Sequence, residues 1–112
     1  MSESATILGM LDELERQLGR ETVLDLIDLF GTNSAEQVAR IAGAFSQNDL
    51  ALIKSTAHSL KSSSANLGAV ALSEQCVKIE KATGLDGELA EWISTIGDLR
   101  EEAVKIMASW KK

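Results

Sequence analysis

The 112-residue sequence contains no proline and no tyrosine, and aromatic residues make up only 4% of it. Without proline, no position carries the residue that most strongly breaks a helix interior. The scarcity of aromatic side chains disfavours a β-rich core. Since Ala, Leu, Glu and Lys are abundant, the composition predicts an all-α fold, and the length predicts one domain over residues 1–112.

Cysteine and histidine occur once each, as Cys76 and His58. A single cysteine cannot form an internal disulfide, and one histidine with one cysteine gives too few soft ligands for a metal site. The first residues lack the basic and apolar segments of a signal peptide, and no apolar run is long enough to span a bilayer. We therefore predict a cytoplasmic protein without a metal, in which Cys76 is a core residue.

Negative charge outweighs positive charge, with 11 Lys and Arg against 17 Asp and Glu and a formal net charge of −6. Nucleic acids and anionic membranes attract proteins with clustered Lys and Arg. The charge balance therefore disfavours both as partners. We expect a monomer that binds another protein.

Apolar residues recur at spacings of three and four in five segments, which predicts five helices. The first is predicted from about Ser4 to Leu18. Residues typical of helix ends mark the other boundaries: Gly19 after the first helix, Asn48 and Asp49 before the third, Gly68 after the third, Gly84 after the fourth and Asp86 before the fifth. The fourth helix is expected to place Thr83 on its inward side.

The second predicted helix starts near Arg20 and has a possible interruption at Gly31-Thr32-Asn33. The next four residues, SAEQ, match a capping box, so two shorter helices are an alternative to one long helix. The apolar spacing of three and four continues across the interruption, and a break would normally lose it. We therefore predict one continuous helix.

Four long amphipathic helices joined by short connections favour an antiparallel arrangement, because a short loop returns each helix alongside the previous one. The sequence thus predicts an up-down-up-down four-helix bundle. The short extra N-terminal helix is expected to cover the bundle as a lid.

His58 lies about 130° from the centre of the apolar stripe of the third helix, which predicts an exposed imidazole. Lys61 and Ser62, three and four residues later, share its side of the helix. A neutral imidazole is nucleophilic near neutral pH, and a neighbouring ammonium stabilises the charge on a phosphoryl group. This pattern indicates a nucleophile for phosphate, although Lys61 as an ordinary surface lysine is the alternative.

The segment AHSLKSSSANLGA (57–69), followed by LSEQCVKIE (72–80), resembles the signature of histidine-containing phosphotransfer (HPt) domains of bacterial phosphorelays. The resemblance implies a bundle with a phosphorylatable mid-helix histidine and no ATP site, hence a phosphoryl carrier rather than an enzyme. It implies receiver domains of response regulators and hybrid histidine kinases as partners, with Mg²⁺ on the receiver and no cofactor on this chain. The family most often has glycine directly after the motif lysine, where this sequence has Ser62.

Glu80 follows the inward Ile79 as His58 follows the inward Ala57, so the two side chains are expected to face each other across adjacent helices. A carboxylate in that place would accept the Nδ1–H of the ring and leave Nε2 free to attack. The alternative is an exposed Glu80 that pairs with a nearby lysine.

Small side chains near His58 leave room for a second protein to dock. The predicted docking residues are Ala51, Lys54, Ser55, Ser62 and Ala65.

Two other functions are alternatives to phosphotransfer: a helical adaptor that docks on a receiver or kinase without being phosphorylated, and an enzyme that hydrolyses receiver phosphate. The second would need a group that activates water, and the side chain best placed near the phosphate is a lysine.

Overall fold

A computed structural model describes residues 2–111, which form a bundle of helices without strands. In chain order the helices are α1 Glu3–Leu18, α2 Arg20–Ser46, α3 Leu50–Asn66, α4 Val70–Glu80 and α5 Gly87–Lys111. The predicted all-α helical bundle is confirmed. In the described part of the chain, no helix combines the length and the apolar character needed to cross a membrane.

Helices α2 to α5 surround one core, because α3 packs between α2 and α4, and α5 packs against the other sides of α2 and α4. Contacts between α3 and α4 run in opposite orders along the two helices. His58 in the middle of α3 contacts Glu80 at the end of α4, whereas the carbonyl of Lys61, later in α3, accepts a hydrogen bond from Ser73 near the start of α4. These two helices are therefore antiparallel.

Helix α2 is continuous through Gly31, as the apolar spacing predicts. The residues around Gly31 do not break the helix, and α5 contacts α2 at this point. Arg100 of α5 donates from Nη2 to the carbonyl of Gly31 and from Nε to the hydroxyl of Ser34, both at 2.8 Å. The Arg100 side chain is only 14% exposed, and these two bonds together with an ion pair from Nη1 to Glu101 satisfy a guanidinium that the bundle has largely removed from water.

Side-chain caps mark the starts of α3 and α5. Asp49 accepts from the amide of Leu52 at 3.1 Å, and Asp86 accepts from the amide of Leu89 at 2.9 Å. Asn48, the other predicted cap of α3, instead takes a left-handed conformation with φ 58°. A cap bonds to one of the first helix amides, and here Asp49 does so.

The predicted end of α4 is wrong, because the helix stops at Glu80 and not at Gly84. Thr83, predicted to point inward, is exposed, and Ala82 is buried in its place. The ammonium of Lys54 on α3 donates to the carbonyl of Ala82 at 3.1 Å. That cross-helix bond satisfies a carbonyl just beyond the helix end, and the chain turns towards α5 earlier than the glycine suggested.

Helix α1 crosses the connection between α3 and α4, where Gly68 has φ +80°. A Cβ at Gly68 would lie 2.9 Å from the carbonyl oxygen of Thr6 and 3.0 Å from Cβ of Met10. Ile7 and Leu11 on the same helix are fully buried. The predicted lid is thus a packed part of the core, and it holds the loop that follows the helix of His58.

Candidate functional site

His58 projects from the middle of α3, and its side chain is 63% exposed. Its neighbours Ala57 and Leu60 are fully buried, and they fix the rotation of α3 about its own axis. Helical spacing then directs position 58 outward. The structure therefore presents the imidazole to solvent on a rigid helix, as the apolar pattern predicts.

Glu80 reaches the ring from α4, with its Oε2 at 2.8 Å from Nδ1 of His58. Glu80 is the last residue of α4, and the fully buried Ile79 anchors that turn. An ionised carboxylate can only accept hydrogen bonds, so Nδ1 carries the proton and donates a hydrogen bond to Glu80. The lone pair of the ring is then on Nε2, the nitrogen that Glu80 does not contact.

Lys61 approaches the other oxygen of the same carboxylate, with Nζ at 2.7 Å from Oε1. The pKa of Glu80 is lowered, mainly by the Lys61 ammonium and in addition by His58, while partial burial acts in the opposite direction. The carboxylate is therefore ionised at neutral pH. The two contacts that the sequence left as alternatives for Glu80, with the ring and with a lysine, occur together.

Cys76 lies near this cluster but takes no part in it. Its side chain is fully buried, and burial, together with the negative charge of Glu80, raises the pKa of the thiol to about 12. A thiol with that pKa stays protonated and unreactive at neutral pH. The interpretation of Cys76 as a core residue is confirmed.

Four of the five predicted docking residues are exposed on α3 around His58: Ala51, Ser55, Ser62 and Ala65. The hydroxyls of Ser55 and Ser62 donate to carbonyls of their own helix, those of Leu52 and His58. The side chains on this face of α3 are consequently short and lie close to the helix, so the face is low around His58. Lys54 differs, since it is half-buried and its ammonium binds the carbonyl of Ala82 instead of extending beside the ring.

An apolar groove of about 260 Å³ lies between α1, α2 and α3, and the sequence analysis did not identify it. Its lining residues are Leu14, Leu26, Leu29, Phe30, Asn33, Ser63, Asn66 and Leu67. Leu29 is 57% exposed although it is a large apolar residue. Its place outside the inward stripe of α2 is the sequence signal that would have revealed this surface.

In a comparison with known protein families, the family model described as the Hpt domain matches residues 25–108. The matched range extends from the first part of α2 almost to the end of α5 and includes the whole His58 cluster. No curated protein and no solved structure gives a significant match. Among residues 2–111, no three His, Cys, Asp or Glu side chains are grouped so that they would hold a metal ion.

Proposed function

The chain belongs to the Hpt domain family, and on that premise we propose that it accepts a phosphoryl group on His58 from a receiver-domain aspartate and passes it to another receiver. The observation that carries the proposal is the hydrogen bond between Nδ1 and Glu80. It leaves the lone pair on Nε2 of an exposed ring.

The transfer needs few groups from this protein. Nε2 attacks the phosphorus of the aspartyl phosphate, and the O–P bond breaks with its electron pair on the aspartate oxygen. Because the transition state is loose and its charge lies on the phosphoryl oxygens, positive charge and alignment are the main requirements. Lys61 supplies positive charge from this chain, and Mg²⁺ held by the receiver would supply the rest.

The main alternative is an adaptor that docks on a receiver or kinase without being phosphorylated. Incubation with a receiver carrying a labelled aspartyl phosphate separates the two functions. A relay protein gains an acid-labile, base-stable label on His58 and loses it to a second, unphosphorylated receiver. Stable binding without label would support the adaptor, and free phosphate without any labelled chain would support hydrolysis of receiver phosphate.

Substitution of Lys61 by alanine should slow phosphotransfer at least about tenfold, as the loss of one charge-stabilising donor typically does. The side chain is 29% exposed and its ion pair is with Glu80, so the fold should change little. Single-turnover transfer from a phosphorylated receiver measures the effect. Lys105→Ala, which removes an exposed lysine on α5, is the matched control. An unchanged rate in Lys61→Ala would make Lys61 an ordinary surface residue.

We expect the receiver to dock over the low face of α3 around His58 and over the adjoining apolar groove. The two surfaces are continuous, because Ser63 and Asn66 of α3 line the groove. A partner must bring its phosphorus to within about 3 Å of Nε2, so a large side chain on this face would keep the proteins apart.

Ala65→Arg should therefore weaken receiver binding and slow transfer from the receiver, while phosphorylation of His58 by phosphoramidate stays normal. Ala65 is exposed on the His58 side of α3. The control places the same side chain on α5, as Ala90→Arg. Equal losses with both donors would indicate damage to the site or the fold, and no loss with the receiver would exclude this face as the docking surface.

A further inference from the structure

The carboxylate of Glu80 faces the ring nitrogen that does not carry the phosphoryl group. Oε2 is 2.8 Å from Nδ1 of His58, and Oε1 is 2.7 Å from Nζ of Lys61. We propose that Glu80 holds the proton on Nδ1 after Nε2 has been phosphorylated, so that the phosphoryl group is bonded to an imidazolium and remains easy to transfer. This inference rests on the proposed phosphorylation of His58.

The proton count of the transfer depends on Nδ1. When Nε2 of the neutral ring forms its bond to phosphorus, the ring gains one positive charge and still carries the Nδ1 proton. In the onward step the N–P bond breaks, its electron pair returns to Nε2, and neutral imidazole leaves. If Nδ1 keeps its proton throughout, no proton enters or leaves in either direction. If the proton is lost in between, the ring would have to leave as an imidazolate anion or be protonated again first.

The charge of Glu80 matters here more than its hydrogen bond. A neutral amide would also accept from Nδ1, but a carboxylate favours the positively charged ring over the neutral one. An opposite charge at this range typically shifts a pKa by about 1 to 3 units. The carboxylate of Glu80 beside Nδ1 therefore favours the protonated form of the phosphorylated ring, which is the form that transfers the phosphoryl group.

Lys61 determines how strong the electrostatic interaction between the Glu80 carboxylate and the ring is. In the unphosphorylated protein its ammonium neutralises part of the Glu80 charge. Phosphoryl oxygens on Nε2 would compete for the same ammonium, because Lys61 is one turn from His58 on the same face of α3. Any shift of Lys61 towards them leaves more of the Glu80 charge to the imidazolium.

The other titratable side chains near the ring are Lys54 on α3, Glu74, Cys76 and Lys78 on α4, Lys81 directly after α4, and Glu36 and Arg40 in the second half of α2. Lys54 binds the carbonyl of Ala82, and the thiol is neutral because burial and Glu80 raise its pKa. The others are exposed. Within residues 2–111, Glu80 is the one carboxylate within ion-pair distance of the ring.

The test compares wild-type protein with Glu80→Gln, which keeps an acceptor for the Nδ1–H and removes only the charge. Glu74→Gln makes the same change at an exposed position of α4 and is the matched control. Each protein is phosphorylated with phosphoramidate, and the extent of labelling is measured by intact mass. The ³¹P resonance and its decay are then followed from about pH 5.5 to about pH 9, a range that includes the titration of an imidazole.

In Glu80→Gln the phosphorylated ring should titrate at least about one unit lower than in the other two proteins. Above both pKa values its dephosphorylation should be at least about tenfold slower, since one unit changes the protonated fraction tenfold. At the acid end, where every ring is protonated, the three rates should converge. A substitution that merely disturbed the structure would not recover its rate at low pH.

A second measurement needs no variant. Phosphorylated wild-type protein in its folded state should titrate at a higher pH than the same protein unfolded in urea, by at least about one unit. Coinciding titrations of folded and unfolded protein, or of wild type and Glu80→Gln, would overturn the inference and leave the relay function standing. A loss of rate that is equal at every pH would also overturn it. Wild-type protein that gains no label on His58 would instead contradict the proposed function itself.

Discussion

Replacing His58 with glutamine should abolish phosphoryl acceptance from both a phosphorylated receiver and phosphoramidate. Glutamine has no nucleophilic ring nitrogen, and the sequence offers no second histidine. Stability should change by no more than about 0.5 kcal/mol, because the side chain is mostly exposed and its main polar contact is the bond to Glu80. Intact mass and acid-labile label measure acceptance, and a thermal melt measures stability.

The two readouts for His58→Gln are meant to be read together. If the variant gains no acid-labile label and its melting temperature is unchanged, the phosphoryl group is on His58. Acid-labile label that persists on the variant would contradict the assignment. If the variant gains no label and its melting temperature falls sharply, His58→Asn serves as a second variant, since a shorter amide keeps the position polar and exposed.

Replacing Gly68 with alanine should lower the free energy of unfolding by about 2 to 5 kcal/mol. A left-handed conformation costs an L-residue about 1 to 2 kcal/mol, and overpacking typically adds about 1 to 3 kcal/mol. Both penalties apply at Gly68, because φ is +80° and the new Cβ would lie 2.9 Å from the backbone oxygen of Thr6. The melting temperature should fall by about 10 to 20 °C for a chain of this size.

Gly31→Ala is the matched control for this effect. Gly31 lies inside α2, and a Cβ there would meet no atom within 4 Å. Alanine is favoured over glycine inside a helix by about 0.5 to 1 kcal/mol, so this variant should melt at the same temperature or slightly higher. If both variants lost the same stability, the close approach of α1 would not be the reason for a glycine at position 68.

The fold was predictable from the sequence wherever one helix was considered alone. Apolar spacing gave the five helices, and it was a better guide across Gly31 than the local glycine and capping-box signals. The end of α4 was not predictable in this way. Just beyond that end the carbonyl of Ala82 accepts a hydrogen bond from Lys54 on another helix, and helical spacing within 70–84 contains no information about that contact.

The contact between His58 and Glu80 was predictable because each residue directly follows a buried residue of its own helix. Glu80 follows a buried residue as His58 does, and the structure brings the two side chains together. The sequence did not predict that Glu80 would contact the ring and a lysine at the same time, or that Leu29 would border a groove. Both features depend on how far each helix is rotated and shifted against its neighbours, which a single sequence pattern does not specify.

The position of His58 in the interior of α3 also bears on how tightly a phosphoryl group on the ring would be held. Proteins that retain phosphate commonly surround it with backbone amides at the start of a helix or in a glycine-rich loop. Near His58 the amides are already committed to the hydrogen bonds of α3. Only side chains and water remain to contact the phosphoryl oxygens. Such a site has low intrinsic affinity for phosphate, so a transferred phosphoryl group would be held mainly by its bond to Nε2, and free phosphate would not occupy the site between transfers.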